Sequence, residues 1–284
     1  MSTGVAQAVA SVDVVVPHLH ILDHPATAPR STGPAASDAA APASELPVVV
    51  LVHGSLDRAA SFTRVVRRLA DLHVVTYDRR GYAGSRGTPP GDDPFGEHVA
   101  DLLRVIDGRR AVVVGHSLGG DVAVGAALAD PRLVAAIAAY EPPMPWLPWW
   151  PRRDRGALAA AGPALHAEQF FRRMVSDQAW ERSTDRARAE RIADGPALLA
   201  ELLAIRSSDP PFEVSALQVP ATFCRGERSA GHHRRAVQEL ATAVRGARMV
   251  EIAGAAHGAH LTHAGAFASM VRATVARAAN PDAP

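Results

Sequence analysis

One five-residue pattern in the sequence has the residue types for covalent chemistry, Gly115-His116-Ser117-Leu118-Gly119, a G-x-S-x-G match. It follows an apolar run at 111–114 and opens a small-residue helical run at 118–128, so it occupies a strand-to-helix turn. The glycines suit a turn so tight that neighbours with a Cβ would collide, and the serine at its apex takes a strained backbone conformation. Its hydroxyl then projects at a helix N-terminus, where backbone N–H groups point outward. A serine hydroxyl is a weak nucleophile and needs a base. At such a turn the partners follow in the chain order acid, then histidine. His257 comes after the last strand-like run, 249–252, and has the right place. A tetrahedral intermediate needs two backbone donors. One is the N–H of Leu118, and the second is assigned to Ser55 in His53-Gly54-Ser55-Leu56, where Gly54 lets the loop turn in toward Ser117.

A framework that positions these residues is legible as an alternation. Residues 48–52 are continuously apolar, as in a strand buried on both faces. Phe62, Val65, Val66 and Leu69 mark a helix face. Strand-like runs at 72–77, 111–114 and 133–140 alternate with helical patterns at 97–106 and 118–128. The alternation stops at Glu141 and resumes with strands at 221–224 and 249–252, a helix at 234–244, and a last helix carrying Phe267, Met270, Val271, Thr274 and Val275 on one face. Such spacing implies βαβ units in a mostly parallel sheet with helices on both faces. The expected division is a core of 46–141 and 216–284, a helical lid at 142–215, and an N-terminal segment 1–45. Within that segment, runs 12–16 and 19–22 suggest a hairpin, and the Ala/Pro/Ser-rich stretch 25–45 a linker.

Composition narrows the chemistry. The 284 residues carry a formal net charge of +1 and 21% charged residues, so neither a basic nucleic-acid binder nor a charge-driven disordered chain is expected. No lysine is present, which excludes a Schiff-base lysine and the usual lysine of a phosphate-binding loop. With Asn280 as the sole asparagine, a Cys-His-Asn protease is implausible. Cys224, the single cysteine, permits no intramolecular disulfide and is expected to be buried and inert. His260 and His263 follow His257 at i+3 and i+6, but no carboxylate or cysteine accompanies them at ligand spacing. The run His18-Leu19-His20-Ile21-Leu22-Asp23-His24 has one residue too many for an HxHxDH ligand set. No metal and no cofactor is therefore expected. With no secretion signal and no apolar run of about 20 residues, the expectation is a cytoplasmic protein with no membrane partner, acting as a monomer or homodimer.

Taken together, His53-Gly54-Ser55, Tyr77-Asp78-Arg79-Arg80-Gly81, Gly115 to Gly120, Val219-Pro220, Arg225-Gly226-Glu227 and His257-Gly258-Ala259-His260-Leu261 resemble the α/β-hydrolase superfamily over about 47–275. The resemblance implies an eight-stranded, mostly parallel sheet with a lid after strand six. One departure matters. The acid usual after strand seven is missing, because Gly226-Glu227-Arg228-Ser229 places Ser229 at the aspartate position. Some relatives, zearalenone-type lactone hydrolases among them, carry the acid after strand six, where this sequence has Glu141. Glu141 is therefore assigned as the acid, with Glu227 as second choice. Asp78 is assigned a structural role in its arginine-rich turn. A serine nucleophile implies an acyl ester, hence a small-molecule ester or lactone substrate. The alternatives are a C–C bond hydrolase, a cofactor-free perhydrolase, or a non-enzymatic ligand receptor on the same fold. Met144, Trp146, Trp149 and Trp150, just beyond Glu141, are expected to wall an apolar pocket over Ser117, with His53, Gly54 and His116 beside it.

Overall fold

The computed structural model describes residues 18–27, 46–151, 155–205 and 209–280. Its strands are β1 (Ile21–His24), β2 (Val48–Val52), β3 (Val74–Tyr77), β4 (Ala111–His116), β5 (Val134–Tyr140), β6 (Ala221–Gly226) and β7 (Arg248–Ile252). They form one sheet in the order β1-β3-β2-β4-β5-β6-β7, parallel throughout except for β1, which runs antiparallel to β3. The sheet thus has seven strands among the described residues. The expected run 12–16 and most of the linker lie outside them, and the strand expected as the sixth is β5.

Valine-rich β2 shows why the sheet is covered twice. Val48, Val50 and Val52 face one cluster with Val113, Leu102 and Val122, while Val49 and Leu51 face another with Val112, Phe62 and Phe267. Period-two alternation puts successive side chains on opposite faces, and here both faces are dry. Helices α2 (Pro94–Ile106), α3 (Leu118–Ala129) and α8 (Gly231–Ala243) cover the first face, and α1 (Thr63–Val66) and α10 (Ala264–Ala279) the second. The helix expected from Phe62 to Leu69 is shorter than its pattern. A 3-10 turn (Ala59–Phe62) leads into single-turn α1, and the Arg68 and Leu69 amides then bond back three residues, to Val65 and Val66. Thr63, Val65 and Val66 are β-branched and poor at sustaining a helix, yet Phe62, Val65 and Leu69 still reach the core.

Between β5 and β6 the chain makes α4 (Arg155–Met174), α5 (Asp177–Glu181), α6 (Asp185–Ala193) and α7 (Gly195–Ala204). Helix α4 kinks at Gly162, whose φ of 76° precedes Pro163. No helix among the described residues is long and apolar enough to cross a membrane. Short α9 (Ala259–Thr262) follows β7.

One residue of α3 works against this core. Asp121 is fully buried, its carboxyl has no hydrogen-bond partner among the described residues, and burial raises its pKa well above the usual value. Its folded state holds a proton that the unfolded chain releases, so its contribution to stability falls as pH rises. Asp121→Ala should therefore raise the unfolding free energy at pH 7 by about 1–3 kcal/mol, the usual cost of an unpaired buried polar group. Urea unfolding checks this, and a lower midpoint for the variant would refute it.

Candidate active site

Ser117 lies between β4 and α3 with φ 53° and ψ −129°. That conformation is strained for a residue with a Cβ, and close packing on both sides enforces it. A Cβ on Gly115 would sit 2.0 Å from the Gly119 carbonyl oxygen, and one on Gly119 would sit 2.2 Å from that of Val52. The Ser117 N–H donates to the Tyr140 carbonyl at 2.8 Å, tying the turn to the end of β5. Gly54 is needed for a related reason, since a Cβ there would meet the Ser117 Cβ at 2.8 Å.

Glu141 follows Tyr140 in the left-handed region, with φ 50°, and is fully buried. One of its oxygens accepts from His257 Nδ1 at 2.7 Å. Its other oxygen accepts the Gly226 N–H at 2.8 Å and the Ser229 hydroxyl. Burial alone would raise the pKa of this carboxyl. The bonds from His257, Ser229 and Gly226 outweigh burial and hold it below the usual range. Ser229 thus stands where the resemblance led one to expect aspartate, and there it donates to the carboxylate that β5 supplies. Glu227 is exposed and accepts from the Gly254 N–H at 2.6 Å, facing away from this arrangement.

Ser117 opens onto a cavity of two lobes. The larger, about 430 Å³, is lined by Ser55, Leu118, Trp150, Phe170, Leu202 and His233, and the smaller, about 210 Å³, by Asp57, His116, His257, His260 and Arg191. The apolar wall differs from the expected one. Trp150 faces the larger lobe, but Met144 packs in the core, Trp146 stands edge-on to Phe212 at 5.7 Å, and Trp149 lies under Arg235 at 4.2 Å. In the turn after β5, Pro143 and Pro145 face the cavity while Met144 and Trp146 turn inward. Hydrophobicity dictates that such residues be covered, not which surface covers them. His53 and Gly54 do not line either lobe. His53 Nε2 accepts the Arg79 N–H at 2.8 Å and braces the loop from below. His116 reaches the smaller lobe, its Nε2–H donating to the His257 carbonyl at 2.8 Å.

Helix α7 adds a residue that no local motif marks. Glu201 is buried and accepts from Ser55 Oγ at 2.6 Å, from Tyr82 OH at 2.7 Å and from Arg79 Nη1 at 2.5 Å, with His98 Nε2 at 2.7 Å. Burial would raise its pKa, but the Arg79 guanidinium and His98 hold it far below the carboxylate range. It fastens the loop that carries Ser55. Asp78 is also structural, though not through arginine: it accepts from the Ala59 and Gly84 amides at 2.8 and 3.0 Å and pairs with His20 at 2.8 Å. Cys224 is buried in β6, where burial pushes its thiol pKa up.

The sequence model of the Alpha/beta hydrolase family matches residues 49–270. The 2-(acetamidomethylene)succinate hydrolase of Mesorhizobium japonicum is 31% identical over 98 residues, covering 34% of this chain and 35% of that protein. An uncharacterised Mycobacterium bovis protein is 36% identical over 92 residues, 31% of this chain and 27% of its own. The chain thus spans about a third or less of the length of these curated relatives. Among solved structures, the enol-lactonase of Burkholderia xenovorans LB400 superposes with a TM-score of 0.67 at 23% identity, over 91% of this chain and 96% of that one. A thermophilic esterase of Thermogutta terrifontis gives a TM-score of 0.69 at 18% identity, over 92% and 93%. At these identities the structures share the fold.

Two predictions follow from burial at the site. Glu201→Ala leaves Arg79 buried without its partner and should cost about 3–5 kcal/mol in chemical denaturation. A loss below 1 kcal/mol would show that the network is not what holds α7 down. Burial, then neighbouring positive charge, lowers the pKa of His53 to about 4 and that of His233 to about 2, and burial holds His116 well below its ordinary value. Between pH 6.5 and 4 the unfolded chain therefore binds protons that the folded chain does not, and stability falls with acid. The melting temperature should drop by about 5–10 °C from pH 7 to pH 5, and an unchanged value would refute the assignment of neutral histidines.

Proposed function

The chain belongs to the alpha/beta hydrolase family, and on that premise we propose that it is a serine hydrolase cleaving a carboxylic ester or lactone of an apolar small molecule through an acyl-enzyme. The observation that carries this reading is the convergence of Ser117, in its strained turn, with a His257 whose Nδ1 is held by a buried carboxylate. Nδ1 is committed to Glu141, which leaves Nε2 as the basic nitrogen, and both His257 and Ser117 line the smaller lobe.

The steps follow from these positions. The Ser117 hydroxyl attacks the substrate carbonyl carbon while His257 Nε2 takes its proton. The carbonyl π pair moves to oxygen, and the N–H groups of Leu118 and Ser55 stabilise the oxyanion. Glu141 fixes the tautomer of His257 and stabilises the imidazolium, without itself taking the proton. As the tetrahedral adduct collapses, the bond to the leaving oxygen breaks and His257 protonates the alcohol. Water, deprotonated by His257, then attacks the acyl ester, and collapse returns Ser117 its proton and releases the acid. The helices between β5 and β6 act as the lid. Phe170, Leu202 and Trp150 give the larger lobe an apolar lining, and its volume of about 430 Å³ suits a small molecule.

Intact mass after exposure to a fluorophosphonate tests the proposal. Wild type should gain one adduct and Ser117→Ala none, while Glu141→Gln should label on the order of a thousandfold or more slowly, as loss of the correct tautomer does in serine triads. p-Nitrophenyl ester turnover should fall in parallel. An unlabelled wild type, or Glu141→Gln labelling at the wild-type rate, would overturn it.

A further inference from the structure

We infer that Asp57, His116 and His260 form a binding site for a divalent transition metal, zinc in particular, in the wall of the Ser117 cavity. The three residues come from the loop after β2, the last position of β4 and helix α9, and all line the smaller lobe. They can each offer a donor atom such that all three lie within 4.8 Å of one another. Asp57 Oδ2 and His260 Nε2 are 3.2 Å apart, in a hydrogen bond that a bound ion would replace. Two ligands about 2.0–2.1 Å from a tetrahedral zinc ion stand about 3.3 Å from each other, so this pair needs little adjustment.

The state of His116 supplies an independent indication. Its Nε2–H donates to the His257 carbonyl, which fixes the tautomer and leaves a lone pair on Nδ1. That Nδ1 is buried and has no hydrogen-bond partner among the described residues, in a residue only 6% exposed. A histidine whose far N–H is held by a carbonyl, with its other nitrogen free, has the form in which imidazole binds metals. His260 presents Nε2 to Asp57, which makes Nε2 its donor atom. Two imidazoles and one carboxylate suit zinc and leave a fourth position for water from the cavity. The other cluster, Glu141, His233 and His257, is a poorer site. Glu141 already accepts three hydrogen bonds, and its bond to His257, at 2.7 Å, is shorter than the 3.2 Å bond an ion would replace at Asp57.

Binding at Asp57, His116 and His260 has a consequence for the proposed hydrolase. The His116 and His257 ring centroids are 4.7 Å apart. A cation beside His116 disfavours the positive charge that His257 acquires during attack, so zinc inhibits. This second step rests on the serine-hydrolase reading, whereas the binding does not.

The test titrates the metal-free full chain with Zn²⁺ by calorimetry and with Co²⁺ by visible absorption, and locates zinc in a soaked crystal by anomalous scattering. One ion per chain is expected, seated between the three side chains. Asp57→Ala and His260→Ala should weaken binding about tenfold or more, and His233→Ala should leave it unchanged. No stoichiometric binding by wild type, or an ion located at Glu141 and His233, overturns the inference whether or not the variants fold. Zinc should slow fluorophosphonate labelling of wild type reversibly, with relief by a chelator. Failure to label the metal-free protein would overturn the hydrolase reading and leave the metal site standing. Normal labelling with no metal bound would overturn the metal site alone.

Discussion

The burial of the Glu141 carboxylate is the constraint on which the site depends. A carboxylate out of water is tolerated only if its oxygens are satisfied, and the donors here come from different parts of the chain. Gly226 belongs to β6, Ser229 to the turn after it, and His257 to the loop after β7. Satisfying Glu141 therefore fixes the relative positions of three strand ends. The adjoining backbone strengthens the arrangement: the Glu141 N–H donates to Cys224 and the Ser117 N–H to Tyr140, so acid and serine share one sheet edge. Two residues along this edge, Ser117 and Glu141, have positive φ. Strain of this kind persists where surrounding contacts overdetermine it.

A second buried carboxylate repeats the principle on the other side of the cavity. Glu201 belongs to the insertion, but its partners Ser55, Arg79, Tyr82 and His98 belong to the core. The insertion is thereby tied to the loop that carries Ser55. The Arg58 and Arg86 pairs with buried Asp194 add a further tie between the same two regions. The cavity is thus bounded by two polar networks whose members are individually costly to bury, with an apolar lobe between them. Such networks specify one arrangement better than they add stability.

Imidazoles surround this frame. Burial keeps His53, His116 and His233 neutral, so they serve as hydrogen-bonding and packing groups rather than as charges. The rings of His232, His233, His257, His116 and His260 follow one another at centroid spacings of 4.2–4.7 Å. His257 is the member joined to the Glu141 carboxylate and facing the cavity.

The local signals in the sequence were those written into short spacings. G-x-S-x-G marks a turn whose glycines are required within five residues, and the β-branched run 48–52 marks a strand covered on both faces. The absence of aspartate at Ser229 is also legible, and it leaves Glu141 as the carboxylate at the end of the preceding strand. The tertiary structure decided what depends on contacts between distant residues. It set Glu141 rather than Glu227 against His257 across 116 residues, and turned Trp150 toward the cavity while Trp146 and Trp149 packed elsewhere. It also brought Glu201 under Ser55 and Asp57 beside His260, 146 and 203 residues apart in the chain. Sequence periodicity records which side chains must leave water and which turns are sterically permitted. It carries no record of which distant donor will satisfy a given buried oxygen, because that is settled only when the sheet edges meet.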